Sequence, residues 1–329
     1  MQKCNITQKC YKLHKRNINI MYGISLLQGL VFYAPVATLY RQAQGMTIFQ
    51  ITLIESISLI LCMGLELPWG ILADKIGYKK TLVSCNLLYF VSKIVFWKAE
   101  GFAGFLLERV MLSIVCAGLS GVDSSVLYLS CEKGESQKVF GIYEGLGTVG
   151  LLMTSFVYSI FIKDDYSLSG FLTVISYGIA LLLSFFLVEV KGEKETKSTA
   201  KEFVVLLKEM CGNRRLFLFL LAIALFNETH QTFTVFFSQP QYVRAGISHS
   251  MMGLLYGLIT VVALCGFLSH KITKKIGEHR VMRLCFIGAV LSCAILAFTN
   301  LVLSTVMGVV LLRSCFSLAV PLQQEMQNR

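Results

Sequence analysis

The sequence predicts an all-α integral membrane protein, and three observations carry that prediction. Of 329 residues, 55% are hydrophobic and only 15% are charged, with a mean hydropathy of +0.66; soluble domains carry about 25% charged residues. The apolar residues fall into long runs, and the longest polar interruption is roughly 23 residues, too short for a folded soluble domain. The basic residues gather in alternate gaps between those runs.

A helix needs about 20 residues at 1.5 Å each to cross the hydrocarbon core. Ten stretches qualify, near residues 18–40, 47–72, 80–98, 102–130, 139–162, 167–190, 215–238, 250–269, 281–299 and 301–321. Placing the N-terminus in the cytoplasm puts 23 of the 30 Lys and Arg residues in cytoplasmic segments, as the positive-inside rule requires. Outer loops then hold only Arg41, Lys98, Lys163 and Arg244, while Lys93, Arg109 and Arg313 fall within spans. The expected organisation is a six-helix bundle over 1–190, a cytoplasmic linker over 191–214 and a partial four-helix bundle over 215–329. Within the linker, STAKEFVVLLKEM reads as an amphipathic helix: Thr199 and Glu202 have capping-box spacing, and Phe203, Leu206, Leu207 and Met210 recur at helical intervals.

The net charge of +11 is a topology signal, so nucleic acid is not an expected partner. The chain has 11 cysteines, most of them inside apolar runs and none at zinc-ligand spacing; there Cys behaves as a small hydrophobe. No nucleophile–base pair, phosphate loop or nucleotide-binding domain is legible. An enzyme is therefore not expected, nor a bound cofactor, nor ATP as energy source.

The loop after the second span reads ELPWGILADKIGYKK, Glu66 to Lys80. Pro68 and Gly70 suit a bent exit from the membrane and Gly77 a tight turn, while Lys79 and Lys80 hold the loop at the cytoplasmic face. Asp74 suits a helix N-terminus or a basic partner, and Glu66 a gate network with Asp74 and Lys79. Here the chain resembles the major facilitator superfamily, whose signature is close to G-x-L-A-D-x-x-G-x-K/R-K/R: Gly70, Leu72, Ala73, Asp74, Gly77, Lys79 and Lys80 all match. LLERVMLSIVCAGLSGVDSSVLY is similar to the fourth helix of that family, an Arg followed by small residues. Together with E-x-P-x-G before the loop, it looks like an efflux-type branch. The Gly-Pro pattern of span five in many antiporters is absent from GIYEGLGTVGLLMTS. The segment GFLSHKITKKIG, Gly266 to Gly277, repeats the loop motif after span eight, with His270 in place of the Asp. Internal repeats are expected of transporters built from related halves. Family members usually have twelve spans, so the resemblance implies a fold truncated from twelve to 6 + 4, and an eleventh helix opposite Asp74 that this sequence lacks.

Charges inside a membrane are costly, about 2.5–3.5 kcal/mol each at mid-bilayer on insertion scales, so each needs a partner or a polar cavity. In span four, Arg109, Ser113, Cys116, Ser120 and Asp123 recur at helical spacing as one polar stripe. It suits either a water-filled path or packing by small residues with Arg109 paired to an acid; the resemblance implies a coupling or structural role for this Arg. Glu55 in span two reads either as a protonatable coupling group or as the fixed partner of Lys93 or Arg109. Glu108 points about 100° from the Arg109 stripe and is expected near the outer interface. Lys93 is expected to snorkel, and Glu144 to sit in an interfacial ion pair. In span seven, the block NETHQT continues the helix, which puts Asn227, Glu228, His230, Gln231 and Thr234 on one arc and Phe226, Phe233, Phe236 and Phe237 opposite.

The functional expectation is a secondary active transporter in the plasma or inner membrane that moves a small molecule by alternating access. Its leading form is efflux driven by the proton gradient, with Glu55, Asp123, Glu228 and His230 as titratable candidates and Tyr33 and Phe233 as walls for an apolar cargo. The alternatives are a sugar- or nucleoside-type symporter or facilitator, and a truncated membrane paralogue that transports nothing.

Overall fold

The computed structural model describes residues 2–131, 136–163, 165–190, 214–263 and 269–327, and among them every regular element is helical. In lipid a backbone must satisfy its own hydrogen bonds, which helices do within one segment. The helices are α1 (Gln2–Gly29), α2 (Ala37–Ala43), α3 (Ile48–Ile76), α4 (Tyr78–Lys98), α5 (Gly101–Leu119), α6 (Val122–Ser130), α7 (Ser136–Val157) and α8 (Tyr166–Phe185). They continue with α9 (Arg214–Gln231), α10 (Ser238–Arg244), α11 (His249–Ala263), α12 (Ser269–Ile276), α13 (Glu278–Phe298) and α14 (Val302–Gln327). The expected linker helix lies outside the described residues.

Each of the ten apolar stretches meets a helix. Seven helical stretches are long and apolar enough to cross a membrane among the described residues: Lys15–Ala43, Ile48–Glu66, Gly101–Ser130, Lys138–Ile162, Tyr166–Phe185, Glu278–Phe298 and Val302–Gln323. Of the others, α4 carries Lys79, Lys80, Lys93 and Lys98, and α11 has 15 described residues. Two compact units form, Met1–Glu193 and Lys194–Arg329.

In the first unit α1 packs on α7 and α8, α3 on α5, and α4 on α5 and α8. Small residues bring α1 and α7 together. A Cβ on Gly29 would fall on the backbone of Gly147, and one on Gly150 would lie 2.6 Å from the Leu26 carbonyl oxygen. Such close approach is how helices associate where lipid is as apolar as the side chains. Hydrogen bonds add to it: Ser25 donates to the Tyr143 carbonyl at 2.7 Å and Tyr177 to that of Gln28 at 2.8 Å.

One local expectation needs correction and another is sharpened. Pro68 lies inside α3, which continues past it to Ile76 and turns at Gly77. A proline deletes one helical hydrogen bond, a defect that flanking turns absorb in a long membrane helix. The fourth span is two helices, because Gly121 takes a left-handed φ of 78° between α5 and α6.

The second unit repeats the first at the level of the backbone. Gly77 joins α3 to α4 at φ 98°, ψ 149°, and Gly277 joins α12 to α13 at φ 94°, ψ 144°; only glycine occupies that region freely. Before them, Gly45 and Gly246 turn at φ 85° and 78°. The amides that follow bond back alike, Met46 to the Arg41 carbonyl at 3.2 Å and Ile247 to that of Tyr242 at 2.9 Å. Even a side-chain tie recurs in different chemistry: the Tyr40 hydroxyl reaches the Trp97 carbonyl at 3.1 Å, and the Gln241 amide reaches that of Thr299 at 2.9 Å. This equivalence corrects the register of the repeated motif. Gly277 stands where Gly77 stands, so Lys274, and not His270, corresponds to Asp74.

Candidate functional site

Four charged side chains converge inside the first unit. Arg41 comes from the short helix α2, Glu55 from α3, and Glu108 and Arg109 from α5. One carboxylate oxygen of Glu55, Oε1, takes both guanidiniums: Arg109 Nη2 at 2.5 Å and Arg41 Nη1 at 3.3 Å. Glu108 Oε2 lies 3.5 Å from Arg109 Nε and 3.9 Å from Arg41 Nη2. Two cations thus alternate with two anions, and the set is neutral. Breaking such a group by deleting one member strands a charge in a poorly hydrated place, which costs about 3–5 kcal/mol.

A fifth charge lies beside the set. Lys93, on α4, donates to the Tyr33 hydroxyl at 3.0 Å, and its ammonium lies 4.9 and 5.0 Å from the rings of Tyr89 and Tyr177. Tyr33 stacks on Phe96 at 3.9 Å, and Phe96 in turn faces the Arg41 guanidinium at 5.6 Å. Ring faces supply partial negative charge without an ion.

Three expectations are overturned here. Arg41 sits in helix α2 and not in a loop, and Glu108 and Lys93 turn inward instead of reaching toward an interface: their exposures are 2%, 1% and 4%. The loop reading of Arg41 failed because ATLYRQA forms the helix α2, whose inward side carries the Arg. Glu108 and Arg109 diverge by 100° at Cα, yet their long side chains bend back to meet each other at 3.5 Å.

The rest of the polar stripe splits among separate contacts. Ser113 is buried between α3 and α5, with its oxygen 2.8 Å from that of Ser58, which makes it a helix–helix contact and not a lining residue. Ser120 donates to Glu66 Oε1 at 2.8 Å. Asp123, past the break, accepts from the Tyr143 hydroxyl at 3.2 Å. It lines a cleft of about 390 Å³ with Gln28, Glu144 and Thr148; Glu144 there faces the cleft, and among the described residues no cation lies within ion-pair distance of it.

At the loop motif, Glu189 is the residue that sequence reasoning missed. Its carboxylate accepts from the Lys79 amide at 3.4 Å and sits where a Cβ on Gly77 would meet it at 3.0 Å. The signal was present as an acid at the inner end of span six. Asp74 lies in the last turn of α3 and Gly70 two residues beyond Pro68, while Lys79 and Lys80 open α4.

In the second unit α9 does run through NETHQT, then loosens into a π-helical turn at Thr232–Phe237. Its polar arc divides. His230 turns inward, with Nε2 2.9 Å from Arg313 Nη1 and its ring stacked on Phe316 at 3.6 Å and 5°. Glu228 and Gln231 are exposed, with Thr232 donating to Glu228 at 3.1 Å. Asn227 is half-buried, and its Oδ1 has no partner among the described residues. Phe226 and Phe236 are buried, Phe226 against Phe286 and Phe316, so they meet helices and not lipid.

Comparison with known proteins places this architecture. The chain is 25% identical over 169 residues to the MFS-type transporter MJ1560 of Methanocaldococcus jannaschii, covering 49% of this chain and 44% of that protein. It is 31% identical over 86 residues to the L-fucose-proton symporter of Escherichia coli, covering 26% and 20%. The matches therefore span less than half the length of these curated relatives. Its fold is similar to that of the nucleoside transporter NupG, with a TM-score of 0.72 at 15% identity over 95% of this chain and 80% of NupG. The sequence profile of the Major Facilitator Superfamily matches residues 19–326. By that match over nearly its whole length, the chain belongs to the major facilitator superfamily of membrane transporters.

Proposed function

We propose that the chain is a proton-coupled secondary transporter of a small molecule, and that Glu55 is the group that takes and gives the proton. The observation that carries this reading is the sharing of one Glu55 oxygen by Arg109 and Arg41. With both acids ionised, the four-residue set is neutral. A proton on Glu55 removes the anion that joins α3 to α2 and α5, and leaves Glu108 alone against two guanidiniums. Protonation state and helix packing are thereby linked, which is what coupling a gradient to alternating access requires.

The distribution of basic residues supports a cytoplasmic N-terminus in a plasma or inner membrane. The gate in this reading is the loop motif, with Gly77 as the turn and Glu66, Asp74, Lys79 and Lys80 around it. Efflux is the direction favoured by the E-x-P-x-G and S-G-x-D patterns. Import of a sugar or nucleoside is the second reading, and the names of the fucose symporter and NupG support it.

The test is transport into vesicles carrying the purified chain, with an imposed pH gradient and a panel of sugars, nucleosides and amphiphilic compounds. Gradient-dependent movement of at least one solute is expected. Movement against the proton flow supports efflux, movement with it supports symport, and identical rates with and without the gradient contradict coupling.

A further inference from the structure

The membrane helices of the second unit hold a cation that no carboxylate neutralises. Arg313 lies in the middle of α14, and among the described residues no acid comes within 4 Å of it. A guanidinium presents five N–H donors and stays protonated. One nitrogen, Nη1, is committed to His230 at 2.9 Å, while Nε is buried without a partner.

That commitment fixes both side chains. Because the guanidinium can only donate, His230 Nε2 accepts, and the ring proton sits on Nδ1. Phe316 holds the opposite constraint by stacking flat on the imidazole. His230 thus orients the cation but supplies no negative charge. Among the described residues no partner meets the side-on edge of Nε and the neighbouring Nη2, two parallel donors with the geometry that a carboxylate or phosphate takes in bidentate fashion. Phe316, stacked on the same His230, belongs with Phe226 and Phe233 to one packed aromatic cluster. An intramembrane cation without a counter-ion marks a functional site more often than a packing accident.

We propose that Arg313, oriented by His230, docks the acidic group of the transported solute, which is therefore an organic anion: a carboxylate or phosphate monoester whose apolar body packs on these rings. The inference rests on the transporter reading above and sharpens it to a substrate class.

The test compares benzoate with benzamide, one ring with and without the charge, as stabilisers of the detergent-purified chain against thermal denaturation. Half-maximal stabilisation is expected at a concentration about 10-fold lower for benzoate, since a hydrogen-bonded charge pair is worth that much. Arg313→Gln removes the preference; Arg313→Lys, which keeps the charge and the fold but loses the fork, reduces it severalfold. Equal responses in the wild-type chain, or a preference that survives in both variants, overturn the proposal. A second arm uses nanodiscs of phosphatidylcholine with and without phosphatidylglycerol. Arg313-dependent stabilisation by phosphatidylglycerol with no response to benzoate overturns the solute assignment in favour of a lipid headgroup. Vesicle transport separates this inference from its premise. Movement of neutral solutes with no benzoate binding keeps the transporter and removes the anion site, whereas benzoate binding through Arg313 without transport of any solute does the reverse.

Discussion

Arg109 and Arg41 meet on a single oxygen of Glu55, although the three side chains come from three different helices. The contact ties the packing of α2, α3 and α5 to one charge. Arg41→Ala should therefore destabilise the folded chain by about 3–5 kcal/mol, since it leaves two acids sharing one buried guanidinium. Arg41→Lys should recover only part of this, because an ammonium lacks the planar fork that reaches Glu55 and Glu108 together. Thermal denaturation in detergent checks both.

Lys93 is the opposite case. Its ammonium is held by a hydroxyl and ring faces, and among the described residues no acid lies within ion-pair distance. Lys93→Met keeps most of the volume and removes the charge. The expected outcome is unchanged or raised thermal stability, as for other buried charges replaced by apolar groups of similar size. A loss of several kcal/mol would mean that Lys93 neutralises an acid of the cluster.

The two loop glycines give a paired prediction. Gly77→Ala and Gly277→Ala each place a Cβ at positive φ, at a cost of about 1–3 kcal/mol. At Gly277 nothing else is met within 4 Å, while at Gly77 the new Cβ reaches the Glu189 carboxylate at 3.0 Å. Gly77→Ala should be the worse of the two, and Glu189→Ala should remove the excess in a double-mutant cycle. Equal costs in both backgrounds would separate Glu189 from the loop.

Glycines along α7 should respond with opposite signs. Gly150→Ala drives a Cβ into the backbone of α1, so a loss of at least about 1–3 kcal/mol is expected. Gly141 has open space around it, and Gly141→Ala should gain about 0.5–1 kcal/mol from helix propensity alone. Paired denaturation curves decide.

The sequence made the helices legible, because a bilayer leaves the backbone no other economy of hydrogen bonds over such apolar runs. It also made the turn at Gly77 legible, and Arg109 as one of two partners open to Glu55. Arg41 and Lys93 were not legible. Both look like interfacial cations by position, and only partners from distant helices turn them inward. Glu108 was misplaced because angular spacing describes Cα positions and not the reach of a long side chain. The repeat was recognised but set in the wrong register, since the string GFLSHK resembles the motif more than KKIG does. Backbone geometry at Gly277 decides against that string.

The proposed link between a proton on Glu55 and solute movement is tested most directly by Glu55→Gln in vesicles. A solute found to move in the wild-type chain is followed in two modes, exchange at equal pH and accumulation driven by a pH gradient. The variant should keep exchange and lose gradient-driven accumulation. Accumulation by Glu55→Gln with the wild-type dependence on pH would contradict it.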